Sequence, residues 1–134
     1  MKLYDGYIMN NYKIILERLV LLMFVNCIVE TIVAFIIGIR NKWDIAMVGM
    51  INLITNPIMN AIIIPIRSEY YHDKTVKYGV LIFSELIVII LEGIFYKKFW
   101  RETKKNPFVV STILNIISVL IGLIISKNFG GLTW

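Results

Sequence analysis

The sequence predicts an all-α integral membrane protein: an antiparallel bundle of four transmembrane helices with a polar interior. Three observations lead there. Apolar stretches occupy approximately 19–39, 45–66, 76–96 and 107–125, and at about 1.5 Å of rise per residue each matches a hydrocarbon core about 30 Å thick. Hydrophobic residues make up 58% of the chain and mean hydropathy is +0.76, more apolar surface than so small a chain can hide in a soluble core. Finally, each stretch carries near its middle a residue that hydrocarbon does not tolerate unpaired: Glu30, Asn56, Glu85 and Asn115. Residues 1–134 therefore read as a single membrane domain.

The first stretch follows a segment holding Asp5 and Glu17, and no small-residue cleavage site succeeds it, so it is expected to be a retained span rather than a signal peptide. It contains Cys27, the only cysteine, which excludes an intrachain disulfide and a cysteine-based zinc site. The second stretch holds the run Asn52-Leu-Ile-Thr-Asn-Pro57. Pro57 has no N–H and its ring crowds the preceding turn, so a kink is expected there, freeing the carbonyls of Leu53 and Ile54 as candidate cation ligands. Pro65 is expected to end this span. The third stretch carries Glu85 and Glu92, and the fourth begins at Pro107, where proline suits a helix start.

Polar residues within the spans recur at helical spacing. Asn26 and Glu30 are one turn apart, Asn52, Thr55, Asn56 and Asn60 share a face, Glu85 and Glu92 lie two turns apart, and Ser111, Asn115, Ser118 and Gly122 repeat along the fourth span. A polar stripe cannot face lipid without leaving its hydrogen-bonding groups unsatisfied, so all four should turn inward, with Ile28 and Leu114 taken as outward positions. Antiparallel threading then aligns Glu30, Thr55, Asn56, Glu85 and Asn115 in a central layer. Asn52, Glu92 and Ser111 fall in a second layer towards the first and third loops, and Asn26, Asn60 and Ser118 in a third on the opposite side. Glu30, Asn56, Glu85 and Asn115 form the expected buried site, the remaining stripe residues a flanking track, and Glu92 an entrance carboxylate.

Beyond Lys77 at the start of the third stretch, no lysine or arginine stands within the spans to neutralise these glutamates. They must be protonated, share protons, or bind a cation through oxygen ligands, with Glu30 and Glu85 as candidate metal ligands. The expected function is proton- or cation-linked transport or binding. One alternative is an accessory, interaction or immunity subunit of a larger membrane complex; another is an intramembrane enzyme using paired glutamates. Hydrolase and metalloprotease motifs are absent, and the single histidine, His72, sits in a polar loop beside Glu69 and Asp73. The chain also departs from the motifs of small multidrug transporters and fluoride channels, so no functional residue is carried over from either.

A net charge of +5 does not point to nucleic acid, because the basic residues flank apolar spans and no nucleic-acid motif occurs; anionic headgroups of a lipid bilayer are the expected counterions. Arg40, Lys42, Lys97, Lys98, Arg101, Lys104 and Lys105 crowd the first and third loops, which places those loops in the cytoplasm and both termini outside. Trp43, Tyr70, Tyr71, Tyr78, Tyr96, Phe99 and Trp100 are expected to form an interfacial aromatic belt. The pattern of Glu30 in the first span, Asn52-Leu-Ile-Thr-Asn-Pro57 in the second, Ser84 to Gly93 with two glutamates in the third and Ser111, Asn115 and Ser118 in the fourth resembles small bacterial four-span proteins. The Ile/Lys/Asn-rich wording suggests a bacterial plasma membrane. Four helices enclose little volume, so a homo-oligomer or a larger membrane partner is expected.

Overall fold

The computed structural model describes residues 23–69 and 74–128 together with positions 17, 20 and 21. Four helices and, among the described residues, no strand make up the fold: α1 Met23–Ile36, α2 Lys42–Glu69, α3 Lys74–Phe99 and α4 Pro107–Asn128. Three of them are long and apolar enough to cross a membrane, over Lys42–Ile63, Tyr78–Phe99 and Pro107–Ile125. The expected opening of the first span, at Leu19 and Leu22, falls outside the described residues, as do His72, Tyr70 and Tyr71.

Local sequence fixes the helix ends. Beyond α1 the chain turns at Gly38, whose φ of 96° is a left-handed conformation that a side chain resists. Gly38 N–H bonds to Phe35 O and Ile39 N–H to Ala34 O, the paired closure of a Schellman motif, with Ile39 and Ala34 both buried beneath it. Asn41 caps α2, its Oδ1 accepting from the N–H groups of Trp43 and Asp44. Asn106 does the same for α4 through Phe108 and Val109, with Pro107 in the first helical position. Lys97 and Lys98 lie in the last turn of α3, where they oppose the negative end of the helix dipole.

Two expectations about α2 and the belt are corrected. The helix continues through Pro65 to Glu69, although its membrane-spanning segment ends at Ile63, because one missing N–H removes a single rung of the helix. Tyr96, expected on the outer surface as part of an aromatic belt, turns inward. It is fully buried, its ring stacked on Trp100 at 4.9 Å between centroids, since it follows Glu92 by one turn and so shares the inward face.

Helix α3 packs against both α2 and α4. Gly93 brings α4 close: a Cβ there would stand 2.4 Å from the Phe108 ring. α1 meets α2 where the Cys27 thiol donates to Gly49 O at 3.5 Å. An apolar cluster of Val33, Ala34, Ile39, Met47, Val48, Ile51, Tyr96, Val110 and Leu114 closes the end of the molecule nearest the first and third loops. Leu114, expected to point outward, is completely buried in this cluster. It follows Ser111 by three residues and precedes Ser118 by four, so it lies beside the inward polar stripe of the fourth helix and is carried into the interior with it.

Those two loops are tied together by Asp44. Its Oδ1 accepts from Arg101 N–H at 2.8 Å, while Oδ2 accepts from the N–H groups of Glu102 at 3.2 Å and Thr103 at 2.8 Å and from the Thr103 hydroxyl at 2.7 Å. Trp43 Nε1 donates to Phe99 O, and the Arg101 guanidinium lies over the Trp43 ring at 4.0 Å.

The distribution of polarity is the reverse of a soluble protein's. Phe24, Ile28, Ile32 and Phe35 on α1, Met50, Ile54, Ile58 and Ile62 on α2, Ile82, Phe83, Leu86 and Ile90 on α3, and Ile116, Leu120 and Ile124 on α4 are all exposed. Glu30, Asp44, Asn52, Thr55, Glu92, Ser111, Asn115 and Ser118 are buried. Soluble monomers rarely expose continuous apolar surface of this extent.

Candidate functional site

Beneath the apolar cluster the inward stripes meet at Glu92. One turn of α2 supplies Thr55, whose hydroxyl lies 3.0 Å from Glu92 Oε1. Two turns of α4 supply Ser111 and Asn115, with the Ser111 hydroxyl 3.2 Å and Asn115 Nδ2 2.7 Å from Oε2. Glu92 is wholly buried. Expected at an entrance, it is instead the carboxylate that gathers the most hydrogen-bond partners of the three, because Ser111 and Thr55 reach it from the flanking helices at the same level.

Glu30 of α1 is a second buried carboxyl, 1% exposed. It faces Asn52, Ser118 and, across the interior, Glu92. Neither neighbour meets it in hydrogen-bonding geometry: Ser118 directs its proton to Asn115 O at 3.0 Å, and both Glu30 Oε2 and Asn52 Nδ2 are buried without a partner. The Tyr96 hydroxyl faces Glu92 in the same way, also unpaired. Leaving such groups unsatisfied costs about 1–3 kcal/mol each, so three together in one place mark a spot where polarity is retained against stability.

Glu85 belongs to a different environment. Two turns before Glu92, it is half-buried and lines a cleft with Asn26, Asn56, Asn60, Ser84, Asn115 and Ser118, built from all four helices. The space within measures about 50 Å³, and since one ordered water needs about 10–15 Å³ it accommodates a few waters or a small ion rather than an organic solute. No side chain among the described residues donates a hydrogen bond to Glu85. Of the four residues expected at one central site, Asn56, Glu85 and Asn115 thus line the cleft, while Glu30 sits with Glu92 deeper in. Asn115 borders both.

Pro57 is exposed on the outer side of α2. The carbonyl it deprives of a donor, that of Leu53, lies one turn earlier on the same side, away from the carboxylates. The inward carbonyls of this segment have their own donors: Ile51 O accepts from the Thr55 hydroxyl at 3.1 Å and Asn52 O from Asn56 Nδ2 at 3.3 Å. Among the described residues, no three histidine, cysteine, aspartate or glutamate side chains converge as a metal-binding group.

Sequence reasoning missed Tyr96 and Asp44. The signal for Tyr96 was its position one turn after Glu92. That for Asp44 was an acid in the first turn of α2 facing a loop rich in N–H donors. No protein family, no curated protein and no solved structure matches the chain.

Proposed function

We propose that the chain inserts into a membrane as an antiparallel four-helix bundle and binds a proton or small cation at Glu30 and Glu92, passing it to or from the cleft lined by Glu85, Asn56 and Asn115. The observation that carries this reading is two fully buried glutamates with, among the described residues, no basic side chain beside them and only neutral donors around. Burying a carboxyl near mid-membrane costs on the order of 2.5–3.5 kcal/mol even on lenient scales, and packing needs none. Support for insertion comes from the apolar outer faces and the three helices of spanning length. The exposed cations of the first and third loops favour a cytoplasmic position for them and an outward one for the termini. The Ile/Lys/Asn-rich composition favours a bacterial plasma membrane.

A second reading, that of an accessory subunit, rests on Glu85. A half-buried carboxyl with no side-chain donor among the described residues is a contact suited to a partner helix, from a second copy or a larger membrane protein. Reconstitution decides between them. Vesicles holding the chain alone, loaded with a pH-sensitive or a Na⁺-sensitive dye, should dissipate a gradient, and Glu92→Gln and Glu30→Gln should abolish this without impairing insertion. Flux in none of the three proteins would leave the accessory reading in its place.

A further inference from the structure

We infer that the buried site takes a proton and excludes metal cations, because both of its amides present N–H groups, not oxygens, to the carboxylates. This rests on the proposed function above and narrows it to one class of ligand. The orientation of each amide follows from its other contacts. Asn115 Nδ2 donates to the Ser111 carbonyl at 2.9 Å while it reaches Glu92 Oε2. Turned over, its oxygen would confront a carbonyl and a carboxylate together. Asn56 Nδ2 is held by the Asn52 carbonyl and therefore donates to Asn52 Oδ1, which leaves Asn52 Nδ2 facing Glu30. A hard cation needs several oxygens turned inward. Here the amides occupy with hydrogens the positions from which a metal would draw ligands, and the carbonyl freed by Pro57 lies on the outer side of the helix.

The same network accommodates either state of Glu92. With Glu92 ionised, the Thr55 and Ser111 hydroxyls and the Asn115 amide all donate to it. With Glu92 neutral, the hydroxyl facing its protonated oxygen returns its own proton to a main-chain carbonyl, Ile51 O for Thr55 or Ile89 O at 3.1 Å for Ser111, and accepts the single carboxyl O–H, while the other hydroxyl goes on donating to the carboxyl's second oxygen. Glu30 has neighbours of both kinds: the unpaired Asn52 amide is the donor an ionised Glu30 would turn to, and the Ser118 oxygen, whose own proton is directed to Asn115 O, is the acceptor a protonated Glu30 would turn to. Movement of a proton breaks an O–H bond at one carboxyl and forms one at the other, with no change in total charge. Among the described residues, the titratable groups facing this pair are Cys27 on α1 and Glu85 and Tyr96 on α3; α2 and α4 contribute none.

The full chain in detergent micelles supplies the test. Tm is followed against pH, and against Na⁺, Ca²⁺ and Mg²⁺ at matched ionic strength, for the wild type, Glu30→Gln, Glu92→Gln, Asn115→Asp and Asn52→Asp. The wild type should respond to pH and to no particular cation, and Glu92→Gln should flatten the pH response. Asn115→Asp replaces a donor by an oxygen beside Glu92 and should gain a Ca²⁺-dependent rise of several degrees; Asn52→Asp reads the same property beside Glu30 should the first variant not fold. A cation-specific rise in the wild type that Glu92→Gln removes overturns the inference and leaves cation binding standing. Failure of both Asp variants to gain a cation response also overturns it. Identical pH and cation curves for wild type, Glu30→Gln and Glu92→Gln overturn the proposed function itself.

Discussion

Replacing Asp44 by asparagine keeps the size of the side chain and removes its charge and one acceptor. Four donors converge on the carboxylate, three of them on Oδ2, so asparagine would turn its remaining oxygen to that side and set its own NH₂ against the Arg101 N–H. A charge-assisted hydrogen bond contributes roughly 1.5–3 kcal/mol net, and an orphaned donor costs about as much as it gained. The loop wraps Asp44 so that it has no exposed surface, yet Arg101 and Glu102 are themselves exposed and water can repair part of the loss. The low end of the range applies: about 2 kcal/mol for Asp44→Asn, or roughly 6–10 °C in Tm for a chain of this size, and more for Asp44→Ala. Thermal unfolding in micelles, followed by tryptophan fluorescence, measures it; Trp43 and Trp100 flank the tie and report its loosening first. A variant within about 0.5 kcal/mol of wild type would show that the loops are held by packing alone.

Gly93→Ala gains about 1 kcal/mol of helix propensity but forces the Phe108 ring aside. It should be net destabilising by about 1 kcal/mol, and a double-mutant cycle with Phe108→Ala, which vacates the space, should show positive coupling; additive effects would contradict the close approach. Asn106→Ala should cost about 1 kcal/mol through loss of the α4 cap, and retained stability would mean that Pro107 alone starts the helix. In a Cys27→Ser background, single cysteines at Lys104 and at Lys42 should react with an impermeant reagent from one side of the membrane, and one at His72 from the other. Labelling of the Lys104 and Lys42 variants from opposite sides would refute the topology.

Much of the fold was legible because helices in apolar surroundings are specified by length and the spacing of their polar residues. Pro107 marked the start of α4 and the stripe from Ser111 to Ser118 its inward face; the caps Asn41 and Asn106 and the stop at Gly38 went unread. Pro65 misled because it follows the end of the apolar span at Ile63, and a single missing N–H did not stop the helix, which runs on to Glu69. Leu114 was misplaced although periodicity locates it: it follows Ser111 by three residues and precedes Ser118 by four, so it borders the inward stripe. Periodicity does not say which carboxylate a shared set of donors will choose. Glu92 won Thr55, Ser111 and Asn115 through contacts between helices far apart in sequence.

The central claim is that the buried carboxyls exchange protons, and infrared difference spectroscopy reads it directly through the C=O stretch of a protonated carboxyl in an apolar environment. On a pH step within the range where the fold survives, the wild type should show such a band changing intensity. Glu92→Gln should lose it or shift what remains to the Glu30 carboxyl. No carboxyl band that responds to pH in the wild type, or the same band unaltered in both Glu92→Gln and Glu30→Gln, would contradict the account.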